Sequence, residues 1–448
     1  MAILGLLNTE NYAANRLKNF RRKVFYDYPN GATTLTGLLG LMDDEDTDDP
    51  EFSWFEKRMA QQRTTTASQG TNLGPFKTSA DGDAGDSALA LTAGTTYIIV
   101  TADSSQFRVG HILRIPVARS GGTATGTLFF RITEDPATTG SNKVKGTPLV
   151  TVTAVDNGTT NENVGKEVLV VGSAYAQGAA GSSEAPWNLP VEPANYCQIF
   201  RTEFSFTGTA LKTGIKFDET GPYKDKAKEA ALSHMIEMEK AALFGTKTKT
   251  TGANSIPTYT TGGLLYFLEL WEAGSTYGNT AATADSDDNK RIIVNAAGTI
   301  TEAAYDGYLE RVFRVTNNKA SEKLVLCGTG FLNVINQMYK SRVCLDASLP
   351  LTETYGMNVV KHLCPFGTLF YKSHPLFNQN PTLRNCALIL DVQNLKWRYM
   401  QGRDTERLTN RQNNNEDLRR DEYLTEGGFE VRFPESHMFL QNVTSFVP

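Results

Sequence analysis

Cysteine is sparse in this chain of 448 residues, and the five present (Cys197, Cys327, Cys344, Cys364 and Cys386) are far apart with no C-x-x-C. An odd, scattered set offers neither a disulfide framework nor a thiolate metal knuckle. It fits reduced thiols packed as small apolar residues after synthesis in a reducing cytosol. Long hydrophobic runs are absent as well: no stretch approaches the roughly 18 apolar residues of a membrane-spanning helix. The segment MAILGLLNTENYAANRLKNFRRK has no basic leader ahead of its apolar patch, so no secretory signal is expected. Nor does one sign of charge dominate. The net charge is −5, which argues against a surface built to wrap nucleic acid, because phosphate binding needs clustered Lys and Arg.

Catalytic signatures are equally thin. The nearest match to a nucleophile elbow, GSTYG (274–278), has Thr276 where the serine belongs. No H-E-x-x-H occurs, and His111, His234, His362, His374 and His437 are scattered. His362, Cys364 and His374 lack any standard zinc spacing and read better as residues of ordinary strands. DGDAGDSALALT (81–92) starts like a calcium loop but ends on Thr92 instead of glutamate, and DSDDNK (285–290) is weaker still. No phosphate-binding G-x-x-x-x-G-K-[ST] is present. The expectation is therefore no catalytic residue, no cofactor and no metal, in a structural protein rather than an enzyme. A hydrolase with a β-domain lid is the reading this search argues against.

What is present falls into blocks. Residues 1–65 cannot form a core alone: Leu38, Leu39, Leu41, Phe52, Trp54 and Phe55 are apolar anchors broken up by the acidic run DDEDTDD (43–49). They must dock on the rest of the chain or on another subunit. From 66 to 187, Thr, Gly and Ser surround short β-type runs (TYIIVTA, HILRIPVA, TLFFRIT, LVTVTAV, KEVLVVG), which predicts a small all-β unit. NYCQIFRTEFSFTGTA (195–210) reads as a strand and leads to a helix over 222–244. In that helix Ala227, Ala231, Met235, Met238 and Ala242 share one face, with Pro222 at its first turn and Gly245 capping its end. Helices are predicted over 301–317 and 329–342, then strands to the end. The polar run 403–422 is expected to stay outside any core.

The order of these blocks resembles the major capsid proteins of tailed bacteriophages with the Hong Kong 97-type fold. The residues carrying it are Asp49, Pro50, Phe52, Trp54 and Glu56 in the arm. Asn195, Gln198, Ile199 and Phe200 follow, with Thr207, Gly208 and Thr209 at a small turn and Glu237 and Glu239 in the helix. CPFGTLFYKSHPLF (364–377) and EGGFEVRFPESHMFLQNV (426–443) fit the same pattern, so the resemblance covers about two-thirds of the chain. It implies an α+β fold with an N-terminal arm (1–65) and an excursion called the E-loop that carries an inserted all-β domain (66–217). A P-domain with a spine helix (218–294), an A-domain (295–384) and P-domain return strands (385–448) would follow.

It further implies a shell subunit. Copies of the chain would form hexamers and pentamers of an icosahedral head that encloses double-stranded DNA. Portal and scaffolding proteins are implied as partners, with a decoration protein as a further one. The expected assembly residues are Leu38, Leu39, Phe52, Trp54, Phe55 and Glu56 of the arm and Gln198, Ile199, Phe200, Phe204 and Phe206 of the strand. Two other readings stand beside it: a virion adhesion protein whose β-domain binds glycan, and an encapsulin-like compartment shell. An adhesin would carry its β-module at a terminus or in repeats, whereas here it interrupts the body.

Overall fold

The computed structural model describes residues 43–58, 62–68, 74–78, 89–119, 125–139, 142–156, 162–178, 187, 189–213, 222–252, 255–274, 291–314, 322–339, 352–354 and 357–447. The chain divides into two compact units, one of residues 1–56 with 191–448 and one of 57–190. The β-rich unit thus starts earlier and ends earlier than the expected 66–217. Strand Arg63–Thr65 belongs to it, whereas Gln198–Thr207 pairs within the larger unit.

In the β unit, seven strands form one sheet in the order Arg63–Thr65, Glu167–Ser173, His111–Ala118, Thr125–Ile132, Lys143–Pro148, Tyr97–Val100, Phe76–Thr78. Alternation puts Leu113, Ile115, Leu128, Phe130 and Val144 on the inner face. A two-stranded ribbon, Leu89–Leu91 with Val152–Val155, adds Leu91, Val152 and Val155 to that core. Strand Lys143–Pro148 is KVKGTP, too polar to read as a strand from sequence. Its Gly146 lies where a Cβ would meet the Arg131 carbonyl oxygen at 2.1 Å, so only glycine fits.

Among the described residues the larger unit has two large sheets and two two-stranded ribbons, Glu51–Ser53 with Ala194–Tyr196 and Thr248–Thr251 with Pro257–Thr260. The first runs Asp43–Thr47, Leu395–Met400, Leu418–Val431, Gln198–Thr207, with Glu406–Leu408 also on the long third strand. The helix Pro222–Phe244, 23 residues and about 34 Å long, packs on it. Its buried face is Ala227, Ala230, His234, Met238, Glu239, Ala242 and Leu243. This is rotated from the expected Ala231 and Met235 stripe because two polar residues face inwards with partners. His234 bonds Thr202 (3.0 Å) and Thr425 (2.8 Å) on adjacent strands, and Glu239 bonds His374 at 2.8 Å.

The second sheet has the order Ile293–Ile300, Met438–Phe446, Ala387–Leu390, Glu322–Cys327, Gly367–Ser373, Met357–Cys364, Thr352–Thr354. Helices Glu302–Arg314 and Thr329–Tyr339 cover one face through Tyr305, Leu309, Phe331 and Val334. Leu324, Leu326, Leu388 and Phe439 on the other face join a core with helix Leu264–Ala273 and the end of the long helix. The polar run 403–422 departs from its expectation, since Glu406–Leu408 and the start of Leu418–Val431 are strands. Asp421 and Glu422 are buried there because Arg407 and Arg419 reach Asp421 while Arg201 and Arg411 reach Glu422.

Candidate assembly surfaces

The arm residues separate sharply by burial. Phe52 and Trp54 are each 5% exposed, in the core of the larger unit. The Trp54 ring lies 5.5 Å from Phe267 and 6.3 Å from Phe52. Its Nε1–H donates to the Glu56 carboxylate at 2.9 Å, and the same Oε1 accepts the backbone N–H of Phe433 at 3.1 Å. Glu56 is itself buried, so the indole and the amide supply the hydrogen bonds its burial requires. Phe55, pointing the other way, is 70% exposed.

Glu56 and Val191 exchange both backbone hydrogen bonds, at 2.9 and 2.8 Å, and Trp54 donates its backbone N–H to Pro193 at 3.1 Å. The chain therefore leaves the larger unit and re-enters it through one antiparallel crossing, continued by the pairing of Glu51–Ser53 with Ala194–Tyr196.

The return strand obeys a simple alternation. Phe200, Phe204 and the half-buried Phe206 face the long helix, with Phe204 and Phe206 packed against Tyr223 at ring distances of 5.9 and 6.0 Å. Ile199, Arg201, Glu203 and Ser205 face outwards, Ile199 being half exposed. Gln198 is half-buried, and its Oε1 accepts the Thr261 backbone N–H at 3.1 Å.

Five of the expected interface residues, Phe52, Trp54, Glu56, Phe200 and Phe204, are buried inside their own unit. Leu38 and Leu39 lie outside the described residues. Phe55 and Ile199 keep their faces outwards, and Phe206 and Gln198 are partly covered. Among the described residues, Phe55 and Ile199, with Ile256 and Leu363, are the large apolar side chains that the larger unit exposes most.

Asn195 is the residue whose role sequence reasoning passed over. Fully buried, its side-chain amide donates to Thr261 Oγ1 (3.1 Å), Gly262 O (3.0 Å) and Phe429 O (2.7 Å), while its Oδ1 accepts the Gly262 N–H at 2.8 Å. With Gln198 it fixes the turn that starts helix Leu264–Ala273 and ties that turn to strand Leu418–Val431. The N-x-x-Q spacing was the available signal, read earlier only as part of a resemblance.

Chemistry is sparse in these surroundings. Among the described residues no group of three or more His, Cys, Asp and Glu could hold a metal ion. His374 is engaged with Glu239, and His362 lies against Tyr339 at 4.5 Å. The calcium-like stretch 81–88 and DSDDNK are outside the described residues, as is most of GSTYG. Among the described residues no helix is long and apolar enough to cross a membrane.

The family model described as the SU10 major capsid protein matches residues 8–444. The chain belongs to the SU10 major capsid protein family. A curated major capsid protein of Pseudomonas phage PaMx41 is 24% identical over 249 residues, 53% of each chain, so this family member spans about half the length of the curated relative it matches. Among solved structures, a cyanophage A-1(L) capsid asymmetric unit overlaps it with a TM-score of 0.41 and 15% identity, over 62% of this chain and 85% of that one. A structure of Mycobacterium phage Bobi overlaps with a TM-score of 0.41 and 7% identity, over 98% and 99% of the two chains.

Proposed function

We propose that this chain is the repeating subunit of a phage head, assembling with copies of itself into hexamers and pentamers of a closed shell around double-stranded DNA. Membership of a major capsid protein family supports the shell role. The crossing at Glu56 and Val191 carries the structural side of the argument. A β-unit that leaves and re-enters through one paired crossing is an insertion into the body, not a terminal binding module. That favours a shell subunit over an adhesin.

We read the larger unit as the body of a Hong Kong 97-type subunit. Pro222–Phe244 is the spine and the sheet beside it the P-domain, residues 295–384 with their two helices are the A-domain, and the strands after 385 are the P-domain return strands, two of which join the second sheet. The 57–190 unit stands where the E-loop would. Scaffolding and portal proteins are the expected partners, with a decoration protein as a further candidate. Contacts in a ring of identical chains are heterologous, so stability sums over many modest interfaces and needs no cofactor.

The test is expression of the full chain, alone and with the scaffolding protein from its own genome, followed by size exclusion and negative-stain microscopy. Rings or shells are expected. A chain that stays monomeric in both conditions would sink the proposal.

A further inference from the structure

The outward face of the seven-stranded sheet in the 57–190 unit carries two arginines, Arg114 and Arg131, that no carboxylate among the described residues neutralises. Because Leu113, Phe130 and Val144 point into the core, the adjacent Arg114, Arg131, Lys143 and Lys145 point out. Register extends this face towards one edge of the sheet: Arg63 lies opposite Leu169, and Leu169 opposite Arg114. Glu167 lies 3.6 Å from Arg63, and Glu134 is bonded to Lys145. Among the described residues no carboxylate pairs with Arg114 or Arg131, and the Nε of Arg131 has no hydrogen-bond partner. Apolar side chains sit between the charges: Phe129 opposite Arg114, and the exposed Leu169 and Val171.

The larger unit carries the complement. Strand Asp43–Thr47 is the sheet's edge, paired among the described residues only with Leu395–Met400. Glu45 is engaged by Lys396 and Arg398, at 3.1 and 3.0 Å. Asp43, Asp44, Asp46 and Asp48 are exposed and pair with no cation among the described residues. A few residues on, Phe55 projects its ring into solvent.

We propose that the acidic edge 43–49, with Phe55, of one copy docks on the outward basic face of the 57–190 sheet of a second copy. The proposal rests on the capsid reading and supplies one heterologous contact for it. Carboxylates meet Arg114 and Arg131, and the Phe55 ring meets Leu169, Val171 and Phe129. Every copy bears both surfaces, so the contact repeats head to tail. A protein occupant is favoured over nucleic acid because Glu134 and Glu167 lie within the basic face, where a phosphate backbone would meet them.

Charge exchange in the full chain tests it, read as the concentration at half-assembly. R114E/R131E, and separately D44K/D46K, are expected to raise that concentration about tenfold or more, since like charges then face each other. All four substitutions together are expected to restore it, and each variant should keep the wild-type melt. Should Arg131→Glu lower the melt of the β unit, Arg114→Glu with the exposed Val171→Glu carries the same test.

Folded single-sided variants that assemble at the wild-type concentration would overturn this contact and leave the capsid reading standing. So would salt-dependent binding of a DNA duplex that R114E/R131E abolishes without affecting assembly. A wild-type chain that never self-associates removes both.

Discussion

Replacing Trp54 with alanine separates an arm that belongs to its own fold from one that waits for a neighbour. The ring is 5% exposed and packs on Phe52 and Phe267, while its indole N–H supplies one of the two hydrogen bonds described for the buried Glu56 carboxylate. Truncating a buried tryptophan costs about 3–5 kcal/mol through lost transfer energy and the cavity left behind. Losing a hydrogen bond to a buried carboxylate adds about 1–2 kcal/mol. Burial would predict a loss of about 4 kcal/mol or more from the larger unit. For a unit of this size that lowers its melting temperature by about 8 °C.

Calorimetry of the full-length Trp54→Ala chain under non-assembling conditions should show the larger unit's transition shifted and that of the 57–190 unit unmoved. Trp54→Phe, which keeps an aromatic ring but drops the N–H, should fall between. An unshifted melt together with lost assembly would refute the reasoning and return Trp54 to an intersubunit role.

Asn195→Ala leaves the Gly262 N–H without its acceptor and two buried carbonyls without their donor, so a loss of about 2–3 kcal/mol is expected in urea unfolding of the larger unit. Asn195→Asp, which keeps the acceptor alone, should recover little. The acid response follows from buried histidines. His234 is held below its ordinary value by burial, and His437 is pushed down to about 3 by burial and the nearby Lys323. Both bind a proton more readily unfolded than folded. Their stabilisation is therefore complete above the unfolded value near 6.5 and is lost as pH falls through it, at up to about 1.4 kcal/mol per pH unit for each group. Urea midpoints of the larger unit from pH 8 to pH 4 should be flat above about 7 and then fall. A flat profile throughout would contradict the burial of these rings.

The outline of the long helix was legible, since Pro222 and the apolar spacing up to Leu243 mark an element of 23 residues. Its orientation was not. His234 and Glu239 look like solvent residues until Thr202, Thr425 and His374, all distant in sequence, are brought beside them. Asp421 and Glu422 escaped for the same reason, because the arginines that permit their burial come from other strands or from positions whose direction only the sheet fixes. Trp54 marks a different limit. Sequence requires such a ring to be covered, but says nothing of whose chain covers it. The short polar strand Lys143–Pro148 forms because its neighbours on both sides supply the ladder, a property absent from its own residues. Acidic edge residues and the basic sheet face could be counted from sequence, yet their separation onto two surfaces needed the strand register.

The most direct test of the capsid account is native mass measurement of the full-length 49.2 kDa chain across a concentration series, with and without its scaffolding protein. The account predicts discrete species of five and six copies that give way to closed shells as concentration rises. A single monomeric species at every concentration, with the scaffolding protein present, would contradict it.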